Sequence, residues 1–171
     1  MKKVTKALSL VLAAIITLTA CGGAGKSGGS GAGSSDGSGA FVTYEGTNVT
    51  VGGEFEGIKD KLGTETKPME TIEPCDGGDY IQIMHYYDGI TVTTLRDEKV
   101  IGIEPAEGGS KEILIQGKVK MGDSADDVKK ALGDPENESD GMMSYTVEGT
   151  SVMIYLEGDS VSGFMYMNMG A

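Results

Sequence analysis

Residue types that commonly build catalytic sites are scarce in this chain. Its 171 residues include no tryptophan, two cysteines and a single histidine, His85. Without tryptophan there is no indole platform for stacking sugar rings, and so few thiols and imidazoles exclude a Cys/His metal cluster. The sequence also lacks a phosphate-cradling glycine loop and a Gly-x-Ser-x-Gly elbow at a strand–helix junction, so His85 has no evident nucleophile. We therefore expect a protein that is not an enzyme and uses no cofactor.

Basic residues are also few. The chain has 14 Lys and Arg against 26 Asp and Glu, a net charge of −12. Nucleic-acid binding depends on basic patches that neutralise phosphates, so we expect no nucleic-acid partner. The acidic balance also disfavours docking of a folded domain onto anionic lipid. It is typical of a soluble surface, and attraction of metal ions or of a basic partner is the alternative.

The first 21 residues have the pattern of an export signal. Three lysines precede a mostly apolar run over residues 7–18, which is shorter than the roughly 20 residues that a membrane-spanning helix needs. The run ends in Leu-Thr-Ala-Cys at residues 18–21, which resembles the bacterial lipobox. The resemblance implies that residues 1–20 are a signal peptide and are removed. It also implies that acyl chains such as palmitate on Cys21 anchor the protein in the lipid bilayer, at the extracytoplasmic face of the cell membrane.

The composition changes at residue 41. Residues 21–40 are almost entirely Gly, Ser and Ala after Cys21, which predicts a flexible tether. Residues 41–171 have the length of one folded domain. With Cys21 lipidated, Cys75 has no partner for an intramolecular disulfide. We expect the Cys75 thiol to be packed in the fold, with an intermolecular disulfide as the alternative.

Two segments of the domain resemble each other. Residues 47–63 align without gaps on residues 117–133, and apolar side chains recur in both at i, i+3 and i+7, the spacing of one helix face. In the second copy Ser124 begins a capping-box pattern and Gly133 suits the helix end, whereas Gly57 interrupts the first helix. The identical pairs are Val49 and Val119, Gly52 and Gly122, Lys59 and Lys129, Leu62 and Leu132, and Gly63 and Gly133.

Alternating strands follow each predicted helix. Asp-Gly and Glu-Gly pairs between β-branched runs predict tight hairpins, and another hairpin precedes the first helix. We therefore predict an α+β domain of two tandem helix-plus-antiparallel-meander repeats that share one sheet, with the helices packed on one face. Repeat 1 spans about residues 47–104 and repeat 2 about 117–169. The predicted strands are 41–44, 48–51, 80–87, 90–95, 99–103, 143–147, 150–156 and 160–169.

These patterns carry a family resemblance. Residues 119–135 read Val-x-x-Gly-x-Ser-x-x-Asp-Val-Lys-x-x-Leu-Gly-x-Pro and precede a meander. They resemble outer-membrane assembly lipoproteins of the SmpA/OmlA (BamE) type, and the tandem arrangement resembles the β-lactamase inhibitor protein fold. Residues 73–79 and the second copy are also similar to a group of Firmicute lipoproteins. The resemblance implies noncatalytic protein binding or envelope scaffolding, but the inhibitor protein's disulfides are missing here, so inhibition of a β-lactamase is not carried over.

An acidic segment is a candidate calcium site. Asp134, Glu136, Glu138 and Asp140 place carboxylates at every second position, and calcium prefers oxygen ligands. Their spacing does not match the EF-hand loop, so a solvated loop is the default interpretation.

A methionine pattern is a candidate interaction face. Met165, Met167 and Met169 lie at i, i+2 and i+4 of the last predicted strand, so they share one face, with Met153 beside them. Such a face is typical of a core or an interface, and thioether binding of Cu(I) is the alternative.

The sequence as a whole favours a membrane-anchored extracytoplasmic lipoprotein. We expect a noncatalytic module that binds another envelope protein or scaffolds the envelope. The alternative is a sensor or carrier lipoprotein that binds a small ligand or a metal ion, Ca²⁺ or Cu.

Overall fold

Short strands and the turns between them, many with glycine, make up most of the described part of the chain. In the computed structural model, residues 39–75 and 80–168 are described. About half of the structure is strand (49%) and 10% is helix, and the strands form two antiparallel sheets. The strands are β1 Phe41–Tyr44, β2 Thr47–Thr50, β3 Glu70–Ile72, β4 Gln82–Tyr87, β5 Ile90–Leu95, β6 Lys99–Pro105, β7 Ile113–Ile115, β8 Val119–Lys120, β9 Asn137–Ser139, β10 Met142–Val147, β11 Thr150–Glu157 and β12 Ser160–Met167, and the helices are α1 Lys59–Leu62 and α2 Ala125–Leu132.

The larger sheet has eight strands in the order β3-β4-β5-β6-β12-β11-β10-β9. Two three-stranded meanders, β4–β6 and β10–β12, meet where β6 pairs with β12. The predicted strands of both meanders are confirmed to within two residues at each end. In the turn of the second meander, Glu148 and Gly149 both have positive φ, 47° and 79°, as a type I′ hairpin needs.

The smaller sheet has four strands in the order β2-β1-β7-β8. The hairpin β1–β2 was predicted, and its strands pair in register. Strand β7 pairs with β1 from about 70 residues away, with Val42 opposite Ile115 and Tyr44 opposite Ile113. These side chains and Val49 are buried on one face of the sheet.

Both sheets contribute to one hydrophobic core. Across the six long strands of the larger sheet, residues in register form a single row on the face toward this core, which we call the inner face. His85, Tyr166 and Tyr145 belong to this row and are all buried. In strand order the row is His85, Val92, Ile103, Tyr166, Val152 and Tyr145.

The predicted fold class is wrong. The described part of the chain is mostly antiparallel β-sheet with two sheets and two short helices, and not an α+β pair of helix-plus-meander repeats sharing one sheet with helices packed on one face. The prediction failed because the smaller sheet contributes core residues that we had expected helices to supply. The pairing of β1 with β7 joins distant segments, and no local periodicity reports it.

The two helices differ because their sequences do. Helix α1 has four residues and no side-chain cap, in keeping with the interruption expected at Gly57. Helix α2 has eight residues and begins at the predicted cap, where Ser124 Oγ accepts a hydrogen bond from the Asp127 backbone N–H (3.2 Å). Gly133 ends α2 with a positive φ of 90°.

A close backbone crossing fixes the link between the meanders. A Cβ placed on Gly109 would lie 1.9 Å from Gly89 Cα, so the segment after β6 has no room for a side chain at this position. The Asp88 carboxylate beside the crossing accepts hydrogen bonds from Ser110 N (2.9 Å) and Ser110 Oγ (2.5 Å). The Ala106 N–H donates to Gly89 O (2.9 Å). The segment after β6 is therefore held against the β4–β5 turn.

Candidate functional site: the outer face of the eight-stranded sheet

The face of the larger sheet that points away from the core is rich in methionine. We call it the outer face. Its central row, in strand order, is Met84, Thr93, Gly102, Met167, Ser151 and Thr146, and none of these side chains is charged. Five of the eight methionines in the described part of the chain lie on the outer face, and the five are Met84, Met142, Met153, Met165 and Met167. Methionine is therefore used here for a surface more than for the core, where Met143 is fully buried.

Four of these residues form one patch centred on Met153. Met165 lies directly opposite Met153 on the neighbouring strand. Met167 is opposite Ser151, and Met142 is opposite Tyr155, so both are diagonal neighbours of Met153. We call Met142, Met153, Met165 and Met167 the methionine patch. All four are half-buried or exposed, and Met167 is 38% exposed.

Two tyrosines support methionines on the outer face. The Tyr86 hydroxyl donates to Met84 Sδ (3.6 Å), and the Tyr155 hydroxyl donates to Met153 Sδ (3.8 Å). The Tyr155 ring also lies beside Gly163, where an added Cβ would be 3.5 Å from its Cδ2 atom. These contacts fix the aromatic rings against the sheet and leave the methionine side chains at the surface.

A groove lies where the two meanders meet. It has a volume of about 380 Å³ and is lined by Tyr80, Ile101, Gly102, Met167 and other uncharged residues. Ile101 is the extra residue of a β-bulge between β5 and β6, and it is buried outside the main core. Gly102 lies at the floor, where an added Cβ would come within 3.4 Å of both Thr93 Cβ and Tyr166 O.

The structure places the sequence-predicted methionines on this face. Met165 and Met167 share it and Met153 is beside them, whereas Met169 lies outside the described residues. Sequence reasoning missed Met142 and Tyr155. Tyr155 alternates with buried residues in a predicted strand, whereas Met142 lies one residue before the predicted strand 143–147, and the register that places the two residues opposite each other was not predicted.

The acidic segment is mostly loop, as expected, and only Glu138 of its four acidic residues lies in a strand, the short edge strand β9. Glu138, in β9, accepts a hydrogen bond from Lys129 Nζ of α2 (2.7 Å), and Glu136 accepts one from Thr146 Oγ1 (2.9 Å). The partners of the two carboxylates thus lie on different elements. Asp134 and Asp140 flank the strand at exposed positions. In residues 39–75 and 80–168, no group of three or more acidic, histidine or cysteine side chains is placed to hold a metal ion.

His85 is held between two carboxylates. Its Nδ1 lies 2.8 Å from Glu65 Oε1, and its Nε2 lies 3.0 Å from Asp97 Oδ1 and 3.3 Å from Thr94 Oγ1. The Phe55 ring packs on the imidazole with centroids 4.2 Å apart.

The contacts of Thr94, His85 and Glu65 have the order of a hydroxyl–histidine–carboxylate relay. Thr94 is fully buried, however, and its hydroxyl donates to Ile83 O (3.4 Å), so it has no path to a substrate. The carboxylates also act on Tyr87, whose pKa is raised to about 12, first by burial and then by the charges of Glu65 and Asp97. We interpret the contacts of His85 with Glu65, Asp97 and Thr94 as stabilising the fold and not as a catalytic site.

The two cysteines have different outcomes. Cys75 is a free, exposed thiol, so the expectation that it is packed in the fold is wrong. Cys21, the predicted lipidation site, lies outside the described residues, as do the signal peptide and nearly all of the tether.

No protein-family model matches this chain, and neither curated proteins nor solved structures gave a match. The resemblances noted from the sequence therefore stay predictions. No helix in the described part of the chain is long and apolar enough to cross a membrane.

Proposed function

We propose that this protein is a lipid-anchored extracytoplasmic lipoprotein that binds another protein, without catalysis, through the outer face. The observation that carries the binding role is the concentration of methionine on that face, beside tyrosine and an uncharged groove. Methionine side chains adapt to different partners, and aromatic residues and methionine are enriched in the cores of protein interfaces.

The size of the outer face supports this role. Six long strands spaced about 4.8 Å apart, with about six residues each at 3.4 Å, give a surface of roughly 600 Å². A stable interface of standard size buries about 800 Å² on each partner. The face therefore provides most of one interface, and neighbouring loops are able to supply the remainder.

A matched pair of substitutions tests the binding role. The full chain is immobilised and used to capture partners from a detergent extract of the source envelope. Met167→Glu places a charge on the outer face, and Met121→Glu places the same charge at a methionine of almost equal exposure, 38% and 40%, outside this face. We expect a partner that the native chain and Met121→Glu retain and that Met167→Glu loses. Equal capture by all three proteins would show that the outer face is not the binding surface.

The anchor is tested separately. We expect the mature protein to begin at an acylated Cys21, as measured by the mass of the intact chain from membranes, and we expect Cys21→Ser to abolish acylation and membrane retention. A mature chain that keeps residues 1–20 without acylation would contradict the anchor and leave the binding role standing.

A further inference from the structure

We propose that the methionine patch is a binding site for Cu(I). This inference rests on the register of β10, β11 and β12, and it uses the same outer face as the proposed protein-binding role without requiring a protein partner. Thioether sulfur is a soft ligand that favours Cu(I), whereas carboxylate and carbonyl oxygens favour Mg²⁺ and Ca²⁺. The patch presents four thioethers on three adjacent strands, without a charged side chain among them.

The cross-strand pair gives a suitable spacing for two ligands. Directly opposite residues of an antiparallel pair have Cβ atoms about 4.5–5.5 Å apart. A metal ion bound to two sulfurs at about 2.3 Å each, the distance known for zinc–sulfur bonds, separates them by up to about 4.6 Å. Met153 and Met165 are such an opposite pair, so their flexible side chains reach a common ion without any movement of the sheet.

Two further thioethers are close enough to complete the coordination. Met167 and Met142 are the diagonal neighbours of Met153 on either side. Diagonal positions lie within reach of long side chains. We assign Met153 and Met165 as the principal ligands and Met167 as the third ligand, because Met167 shares its strand and face with Met165.

The surroundings of Met153 support the assignment. The Tyr155 hydroxyl donates to Met153 Sδ (3.8 Å), which orients the thioether and leaves its second lone pair for a metal. Outer contacts that orient a ligand raise metal affinity. The net charge of −12 also favours the approach of a cation from solution.

Metal binding by thioethers differs from binding by most other side chains because its affinity does not change with pH. Metal binding to carboxylate, imidazole or thiolate competes with protons, so its affinity changes with pH. A thioether carries no proton in this range. We expect the affinity for Cu(I) to be the same at about pH 5 and about pH 8. Binding at His85 or at the acidic segment would instead weaken at the lower pH, so the comparison distinguishes the methionine patch from those sites.

The test is a competition for Cu(I) between the full chain and the chromogenic chelator bicinchoninate under a reductant. Both cysteines are changed to serine, because the exposed Cys75 thiol is itself a Cu(I) ligand. Met153→Leu with Met165→Leu removes the principal thioethers and keeps apolar side chains of similar size. Met69→Leu with Met121→Leu is the control, since both residues are exposed methionines outside the patch.

We expect the chain to withdraw one Cu(I) from the chelator. We also expect the Met153/Met165 pair of substitutions to weaken binding by at least about tenfold, because even the loss of a group that only orients a ligand costs 10–100-fold. The control pair should leave the affinity unchanged. Failure to withdraw Cu(I), or equal weakening by both pairs, would overturn the proposal.

A second measurement needs no substitution in the patch. Ag(I) is a redox-stable substitute for Cu(I), and the methionine methyl signals in a ¹H–¹³C spectrum report its ligands directly. We expect Ag(I) to shift the signals of Met153 and Met165 and to leave those of Met69 and Met121 in place. Uniform shifts, or none, would contradict a site at the patch.

Discussion

The Gly109–Gly89 crossing makes a quantitative prediction about stability. In Gly109→Ala, the new Cβ would meet Gly89 Cα at 1.9 Å and Gly89 N at 2.5 Å. Carbon atoms in contact prefer about 3.5–4.0 Å, so the segment after β6 must withdraw by roughly 1.6–2 Å. Such a shift would lengthen the 2.9 Å bond from Ala106 N to Gly89 O beyond hydrogen-bonding range.

The expected cost follows from these two effects. Overpacking of this kind costs about 1–3 kcal/mol, and the lost backbone hydrogen bond adds about 1 kcal/mol. We therefore expect Gly109→Ala to lower the free energy of unfolding by about 2–4 kcal/mol, which corresponds to a fall in Tm of roughly 8–15 °C for a domain of this size. Urea unfolding followed by circular dichroism measures the first quantity, and a thermal scan the second.

Gly57→Ala is the matched control. Gly57 does not have a positive φ, and its added Cβ would meet only Glu54 O, at an ordinary 3.7 Å. The expected change is within about 0.5 kcal/mol. If Gly109→Ala were as stable as Gly57→Ala, the crossing would be free to separate and would not hold the segment after β6 against the β4–β5 turn.

Two further substitutions test polar contacts. His85→Phe keeps a ring against Phe55 and removes the contacts with both carboxylates, so we expect the free energy of unfolding to fall by about 1–3 kcal/mol; an unchanged urea midpoint would mean that these contacts contribute nothing. Hydrogen bonds from Ser110 hold the pKa of Asp88 below its usual value of 3.8. A carboxyl group whose pKa is lower in the folded state than in the unfolded state stabilises the fold at pH values above the unfolded-state pKa. This contribution is lost as the pH falls through the lower, folded-state pKa. Ser110→Ala should therefore be less stable than the native chain at neutral pH, with a difference that closes below about pH 3.8; a difference that does not vary with pH would refute this account.

Local signals in the sequence were sufficient for most of the elements. The Asp-Gly and Glu-Gly turns predicted the first hairpin of each meander, and Ser124 and Gly133 predicted the two ends of α2. The second sheet was missed because β7 has only three residues and its partner β1 is about 70 residues away. Pairing between segments so far apart depends on how the core packs, and a short sequence pattern does not predict it.

The candidate site was predictable in part. The alternation of Met165 and Met167 indicated a shared face, and the register with Met153 confirmed it. The short strand β9 within the acidic segment was not predictable, because a strand with only exposed side chains has no apolar period. The groove depends on the bulge at Ile101, and a bulge is a property of two paired strands and not of one.

The edges of the larger sheet affect how the protein behaves at high concentration. Strands β3 and β9, which end the sheet, have three residues each, all exposed, and each carries a glutamate. A neighbouring molecule would find too little backbone to continue the sheet, and it would have to bury charged side chains there. Edge-to-edge polymerisation through this sheet is therefore disfavoured, while the uncharged, methionine-rich outer face remains open.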